Sequence, residues 1–188
     1  MSLNELNQEW LLFLPQVPSS PSSLRVAVWR RMRDIGAIGM QTGVWALPRN
    51  EKNEEYMRSV LGEISKHGGG GQILCAVPLA LPDQEKTIEQ FRSDRDEEYG
   101  QFIERCQNLV TDIDKEGARN NFSFAKLEEN EIELKKLVKW LAKIQSRDYF
   151  TGYKAEEARL FLIICDEVFH DFEKEVYARQ GYVLDENG

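Results

Sequence analysis

The sequence predicts an α+β protein, in which a small sheet with two helices precedes three long helices. Three observations predict it. Short apolar runs punctuated by glycine and proline are confined to the part before residue 82. Two amphipathic stretches alternate with those runs, and from Gln84 onward only helical spacing remains.

Trp10-Leu-Leu-Phe-Leu-Pro15 is a compact apolar run closed by a proline, and it reads as a central first strand. The serines of Pro18-Ser-Ser-Pro-Ser-Ser23 then offer a helix N-cap. Leu24, Val28, Met32 and Ile35 recur at helical spacing, which predicts a helix over about residues 21–35 that stops at Gly36. Residues 37–40 and 44–47 are two apolar runs around Gln41-Thr42-Gly43, a tight hairpin turn in which Gly43 supplies the positive φ. Both runs are apolar on consecutive residues, as when both faces of a sheet are covered. Asn50 is placed to cap a second helix with Tyr56, Val60, Leu61 and Ile64 on its apolar face. That helix stops at Gly68-Gly-Gly-Gly71, and Ile73-Leu-Cys-Ala-Val-Pro78 reads as the fourth strand. Strand, helix, hairpin, helix, strand is the order of a ferredoxin-like βαββαβ domain, with both helices on one face.

The second part, residues 83–188, reads as an antiparallel bundle of three long helices. The first runs over about residues 84–116 with Ile88, Phe91, Tyr99, Phe102, Cys106, Leu109 and Ile113 along one stripe. At that length it spans about 50 Å. Gly117 to Asn121 breaks it, and Ser123 caps a second helix reaching about Arg147, with a Glu131–Lys135 pair on its surface. A third begins after Gly152 and ends at Gly181, and residues 185–188 read as disordered.

Charge divides unequally between the parts. Residues 1–82 hold 8 Lys/Arg and 7 Asp/Glu, whereas residues 83–188 hold 16 and 25, so a surface for nucleic acid belongs to the first part. No secretory signal and no membrane-length apolar run is visible, and Cys75, Cys106 and Cys165 have no Cys-x-x-Cys spacing. A cytoplasmic protein with reduced, mostly buried thiols is expected.

Arg25, Arg30, Arg31 and Arg33 lie within nine residues that contain no acid, with Trp29 among them. Guanidinium groups fork onto phosphate oxygens, and an exposed indole can stack on a base, so these five residues are the candidate DNA-binding face. The bland reading is a solvated helix face with Trp29 packed on the sheet. A second candidate is an oxyanion site made by Arg92, Arg95 and Tyr99. Its structural alternative is an internal ion pair from Arg95, which falls on the apolar stripe, to Glu98. His170 has carboxylates three and four residues away but no second histidine near it, His67 lying in the first part, so no metal site is expected. No catalytic set and no flavin, nicotinamide or phosphate-loop signature can be assembled. The chain reads as a non-enzyme without a cofactor.

Three segments carry a family resemblance. They are Trp10 to Pro15, then Val28-Trp-Arg-Arg-Met-Arg-Asp-Ile-Gly-Ala running into Gly43-Val-Trp-Ala-Leu-Pro48. The third is Arg92-Ser-Asp-Arg-Asp-Glu-Glu-Tyr with Phe122-Ser-Phe-Ala-Lys-Leu-Glu-Glu-Asn130 and Trp140-Leu-Ala-Lys-Ile-Gln-Ser-Arg-Asp148. In this order and spacing they resemble the N-terminal domain of the ChrB chromate-resistance regulator family, over about residues 10–177. The resemblance implies a bacterial cytoplasmic protein in transcriptional control of chromate resistance. A chromate- or sulfate-binding or detoxifying protein using Arg92, Arg95 and Tyr99 is the alternative. Full-length members continue into a second, C-terminal domain, so chromate sensing is not carried over to this chain. A homodimer is expected as well. The stripe of the first long helix exceeds what two following helices would cover, and small sheets often pair their edges.

Overall fold

The computed structural model describes residue 5 and residues 7–181, so the expectation for residues 185–188 lies outside the described residues. The first compact unit consists of the chain up to Arg92 together with Arg147–Phe150. Its elements are β1 (Trp10–Gln16), α1 (Ser22–Asp34), β2 (Ile38–Gln41), β3 (Val44–Pro48), α2 (Glu51–Lys66) and β4 (Gly70–Ala76). The strands lie in the order β2-β3-β1-β4 with every neighbouring pair antiparallel. Read from the other edge, β4-β1-β3-β2 is the strand order of the ferredoxin-like fold, with β1 central.

Alternation along β1 explains how both sheet faces close. Leu11 and Phe13 point to one side, where Met32 of α1 and Met57, Val60 and Ile64 of α2 complete a core that excludes water. Trp10 points to the other side, stacked on Phe91 at 5.4 Å between ring centroids and against Phe150 at 5.8 Å. Burying each of these large side chains contributes roughly 1.5–3 kcal/mol.

Three local features refine the expectations. No serine caps α1: Pro21 occupies the N-cap position and no side-chain hydrogen bond is made there. β4 begins at Gly70, so the glycine run does more than stop a helix. A Cβ on Gly71 would meet the Leu14 carbonyl oxygen at 2.7 Å, and only glycine allows the two strands to approach so closely. Asn50 does cap α2, accepting the Asn53 N–H at 2.8 Å.

The sequence divides the chain at 82/83, whereas the packing divides it between Arg92 and Ser93. Helix α3 (Leu81–Ala118) starts early, with Pro82 in its first turn where no N–H is needed, and its first turns bring Ile88 and Phe91 over Trp10. From Ser93 the chain, apart from Arg147–Phe150, belongs to the second unit, with α4 (Phe124–Gln145) and α5 (Tyr153–Arg179).

In that unit Tyr99, Phe102, Cys106, Leu109 and Ile113 pack against Leu134, Leu137, Leu141 and Ile144 of α4 and against Cys165, Phe169, Phe172 and Val176 of α5. No member of the α3 stripe is more than 8% exposed. The two following helices cover it from Tyr99 onward and, as expected, not along its whole length. Ile88 and Phe91 are buried instead in the core of the first unit, so no part of the stripe is left open for a second copy. Ser123 caps α4 by accepting the Lys126 N–H at 3.4 Å, and Lys135 pairs with Glu131 at 2.6 Å. The Cys165 thiol donates to the Cys106 carbonyl at 3.4 Å. The Cys165 contact and burial push the Cys106 thiol up, which keeps it protonated in the core. Cys75 is exposed, unlike the other two. Among the described residues no helix is long and apolar enough to cross a membrane.

One ion pair ties α3 to α4 in a pH-dependent way. Arg105 meets Glu133 at 2.7 Å, and its hydrogen bond holds the Glu133 carboxyl below the ordinary carboxylate range. The folded value is depressed, so this contribution is complete above the unfolded value of about 4.3 and fades as pH falls through the folded value. Glu133→Gln should flatten the acid limb of stability in urea unfolding at stepped pH. The difference should be under about 1 kcal/mol, since Arg105 is half exposed. Parallel limbs for the two proteins would refute the assignment.

Candidate nucleic-acid interface

Helix α1 buries Leu24, Val28 and Met32, which commits the opposite side to solvent. Arg25, Trp29 and Arg33 follow one another at i, i+4 spacing along that side, and Val26 and Arg30 form the adjacent row. Arg25, Arg30 and Arg33 are exposed, Trp29 is 54% exposed, and no acidic residue interrupts the helix before Asp34. Trp29 is thus not packed on the sheet.

Arg31 is different. Its guanidinium lies 5.3 Å from the centre of the Tyr56 ring and donates to the Ser59 hydroxyl at 3.1 Å, while Tyr56 donates back to the Arg31 carbonyl at 2.9 Å. It joins α1 to α2 and is only half-buried, whereas Arg25, Trp29, Arg30 and Arg33 are exposed. Arg31 and Arg33 sit in the last turn, where positive charge complements the helix dipole.

The end of α1 is held by a segment remote in sequence. Gly36 adopts φ +82°, and its N–H bonds the Arg33 carbonyl at 3.0 Å. Arg147 donates to the same carbonyl at 3.5 Å. The Tyr149 hydroxyl lies 2.9 Å from the Ile35 carbonyl and 3.0 Å from Oδ1 of buried Asn53, with one proton to share between them. The Asn53 amide nitrogen in turn donates to the Pro48 carbonyl at 2.8 Å. These contacts satisfy the carbonyls that a helix end leaves open, and they fix the direction in which the Arg–Trp row points.

The other proposed set is not assembled as a site. Arg92, in the first unit, pairs with Glu5 at 2.6 Å. In the second unit Arg95 is 5% exposed and pairs with Glu98 at 2.8 Å, and Tyr99 is 1% exposed. Each guanidinium already has a carboxylate beside it, and Arg95 follows the structural alternative read from the sequence. His170 is exposed beside Glu173 at 3.0 Å and Asp166 at 3.7 Å. Among the described residues no three His, Cys, Asp or Glu side chains converge to hold a metal ion.

Sequence reasoning missed two features. Arg147 and Tyr149 brace α1, which no local pattern reveals because their partners lie 114 residues away. A second acid-free basic run, with Lys135, Lys136, Lys139, Lys143 and Arg147 between Glu133 and Asp148, is visible in the sequence itself, where charge counting over the whole acidic half hides it.

The family model described as "Protein ChrB, N-terminal" matches residues 25–183. Among curated proteins, Protein ChrB of Cupriavidus metallidurans is 24% identical over 111 residues, 56% of this chain. The chain spans about a third of the length of that relative, 33% by the matched part. No solved structure matches.

Proposed function

The chain belongs to the ChrB N-terminal family, and from that premise we propose that it is a non-enzymatic regulatory protein of chromate resistance that holds DNA on the outer face of α1. The observation that carries this reading is the row Arg25–Trp29–Arg33 flanked by Arg30, all exposed on a helix face without an acid. Guanidiniums so placed neutralise phosphates and release counterions, and the indole offers a flat apolar surface among them. The role needs no catalysis. The bracing of the α1 terminus by Arg147 and Tyr149 keeps the row rigid, so that its spacing is presented in one geometry.

A gel shift with the DNA upstream of the chain's own gene tests it. Arg25→Ala/Arg30→Ala/Arg33→Ala should abolish a shift that the parent protein gives. Arg31→Ala should retain it while lowering stability, because that side chain is committed to Tyr56 and Ser59. A shift that survives the triple substitution would sink the assignment of this face.

A further inference from the structure

With the α3 stripe covered internally, the apolar surface left over lies elsewhere. On α5, Tyr153 is 73% exposed, Leu160 52%, Ile163 53% and Ile164 42%. Positions 153, 160 and 164 with 163 repeat at the spacing of a coiled-coil seam. They point away from the side of α5 that carries Ala158, Cys165, Phe169 and Phe172 in the core. On α4, Ile132 is 46% and Val138 50% exposed, and Val138 lines a groove floored by Leu134 and Phe169 whose rims carry Lys139 and Asp166. A helix that keeps apolar residues on its solvent side needs a partner.

We propose that this outer face of α4 and α5 is where two copies of the chain join, α4 of each copy lying on α5 of the other. Charge selects this occupant and this arrangement. The α4 half carries Lys135, Lys136, Lys139 and Lys143 with no acid from residue 134 to 147, whereas α5 is acidic on balance around its seam, with Glu157, Asp166 and Glu167 beside the surface pairs Glu156–Arg159 and Asp171–Lys174. Pairing α5 with α5 sets glutamates against glutamates, and pairing α4 with α4 sets lysines against lysines. The crossed pairing places lysines on acids twice over. A two-fold axis along the helices generates it and closes the assembly at two copies. The existing Lys135–Glu131 and Lys136–Glu133 pairs are on the surface and contribute little, so they do not compete. Lys139 and Asp166 rim the same groove, so Lys139 of one copy lies level with Glu167 of the other.

Light scattering on the full chain at micromolar concentration tests this. The expected mass is twice 21.8 kDa. Leu160→Glu/Ile163→Glu should return it to that of one chain, with the helical circular dichroism unchanged because both side chains are exposed. Lys139→Glu and Glu167→Lys should each weaken dimerisation at least about tenfold, since each homodimer then meets two like-charge contacts. An equal mixture of the two should recover the doubled mass, because both contacts of the mixed pair are complementary. A one-chain mass at every concentration would overturn the proposal. So would a dimer that survives Leu160→Glu/Ile163→Glu, or a mixture that fails to recover it.

Discussion

Arg95→Ala should be among the most damaging single changes in the helical unit, costing about 3–5 kcal/mol in urea unfolding. Arg95 is 5% exposed on the apolar side of α3, one turn from Phe91 and one from Tyr99, and its guanidinium meets Glu98 at 2.8 Å. Removal leaves the half-buried Glu98 carboxylate without that cation and also a hole where the aliphatic stem packed. Two variants separate these effects. Arg95→Met restores the stem but not the charge, and should recover only part of the loss. Arg95→Ala/Glu98→Gln removes the stranded charge and should be less harmful than Arg95→Ala alone. Equal stability of Arg95→Ala and its parent would refute the ion-pair account. Calorimetry of the parent with chromate and with sulfate should give no binding heat attributable to these residues. Heat that vanishes in Arg95→Ala, with folding intact, would revive an oxyanion site.

Gly36→Ala should rank next, at about 2–5 kcal/mol. The left-handed conformation at φ +82° costs a residue with a Cβ about 1–2 kcal/mol. The new methyl would also meet Arg147 Cβ at 2.8 Å and its carbonyl oxygen at 2.9 Å, and such overpacking costs about 1–3 kcal/mol more. Gly43→Ala is the control. Gly43 has φ +80° in the hairpin turn, and a methyl group placed there meets nothing within 4 Å, so only the backbone cost applies. The excess of Gly36→Ala over Gly43→Ala therefore measures how firmly Arg147 sits beneath α1. Equal losses would mean that it does not.

Much of this architecture is legible in the sequence because local patterns and tertiary packing agree. Trp10 to Pro15 is apolar on both faces and forms the central strand. Leu24, Val28 and Met32 mark the buried side of α1, and Asn50 and Ser123 cap the helices they precede. The failures lie where distant segments decide. Nothing near Ile88 and Phe91 says that Phe91 stacks on Trp10 and that both join the sheet's core, so the change of character in the sequence falls ten residues before the division in the packing. The α3 stripe looks too long for two helices because periodicity does not say what reaches it: Cys165, Phe169, Phe172 and Val176 pack with its part from Tyr99 onward, and the sheet unit takes Ile88 and Phe91. In the Arg cluster, periodicity identifies the outward side but not the capture of Arg31 by Tyr56 and Ser59, which arrive from α2. Arg147 and Tyr149 are invisible for the same reason.

The central claim is that the outer face of α1 grips DNA phosphates, and the salt dependence of binding tests it most directly. Fluorescence anisotropy of a labelled duplex yields the slope of log K against log salt for the parent protein and for Arg30→Ala/Arg33→Ala. If both guanidiniums neutralise phosphates, the variant's slope is shallower by about 2, close to one per contact removed. Equal slopes for the two proteins would contradict the claim and take the DNA contact away from this helix.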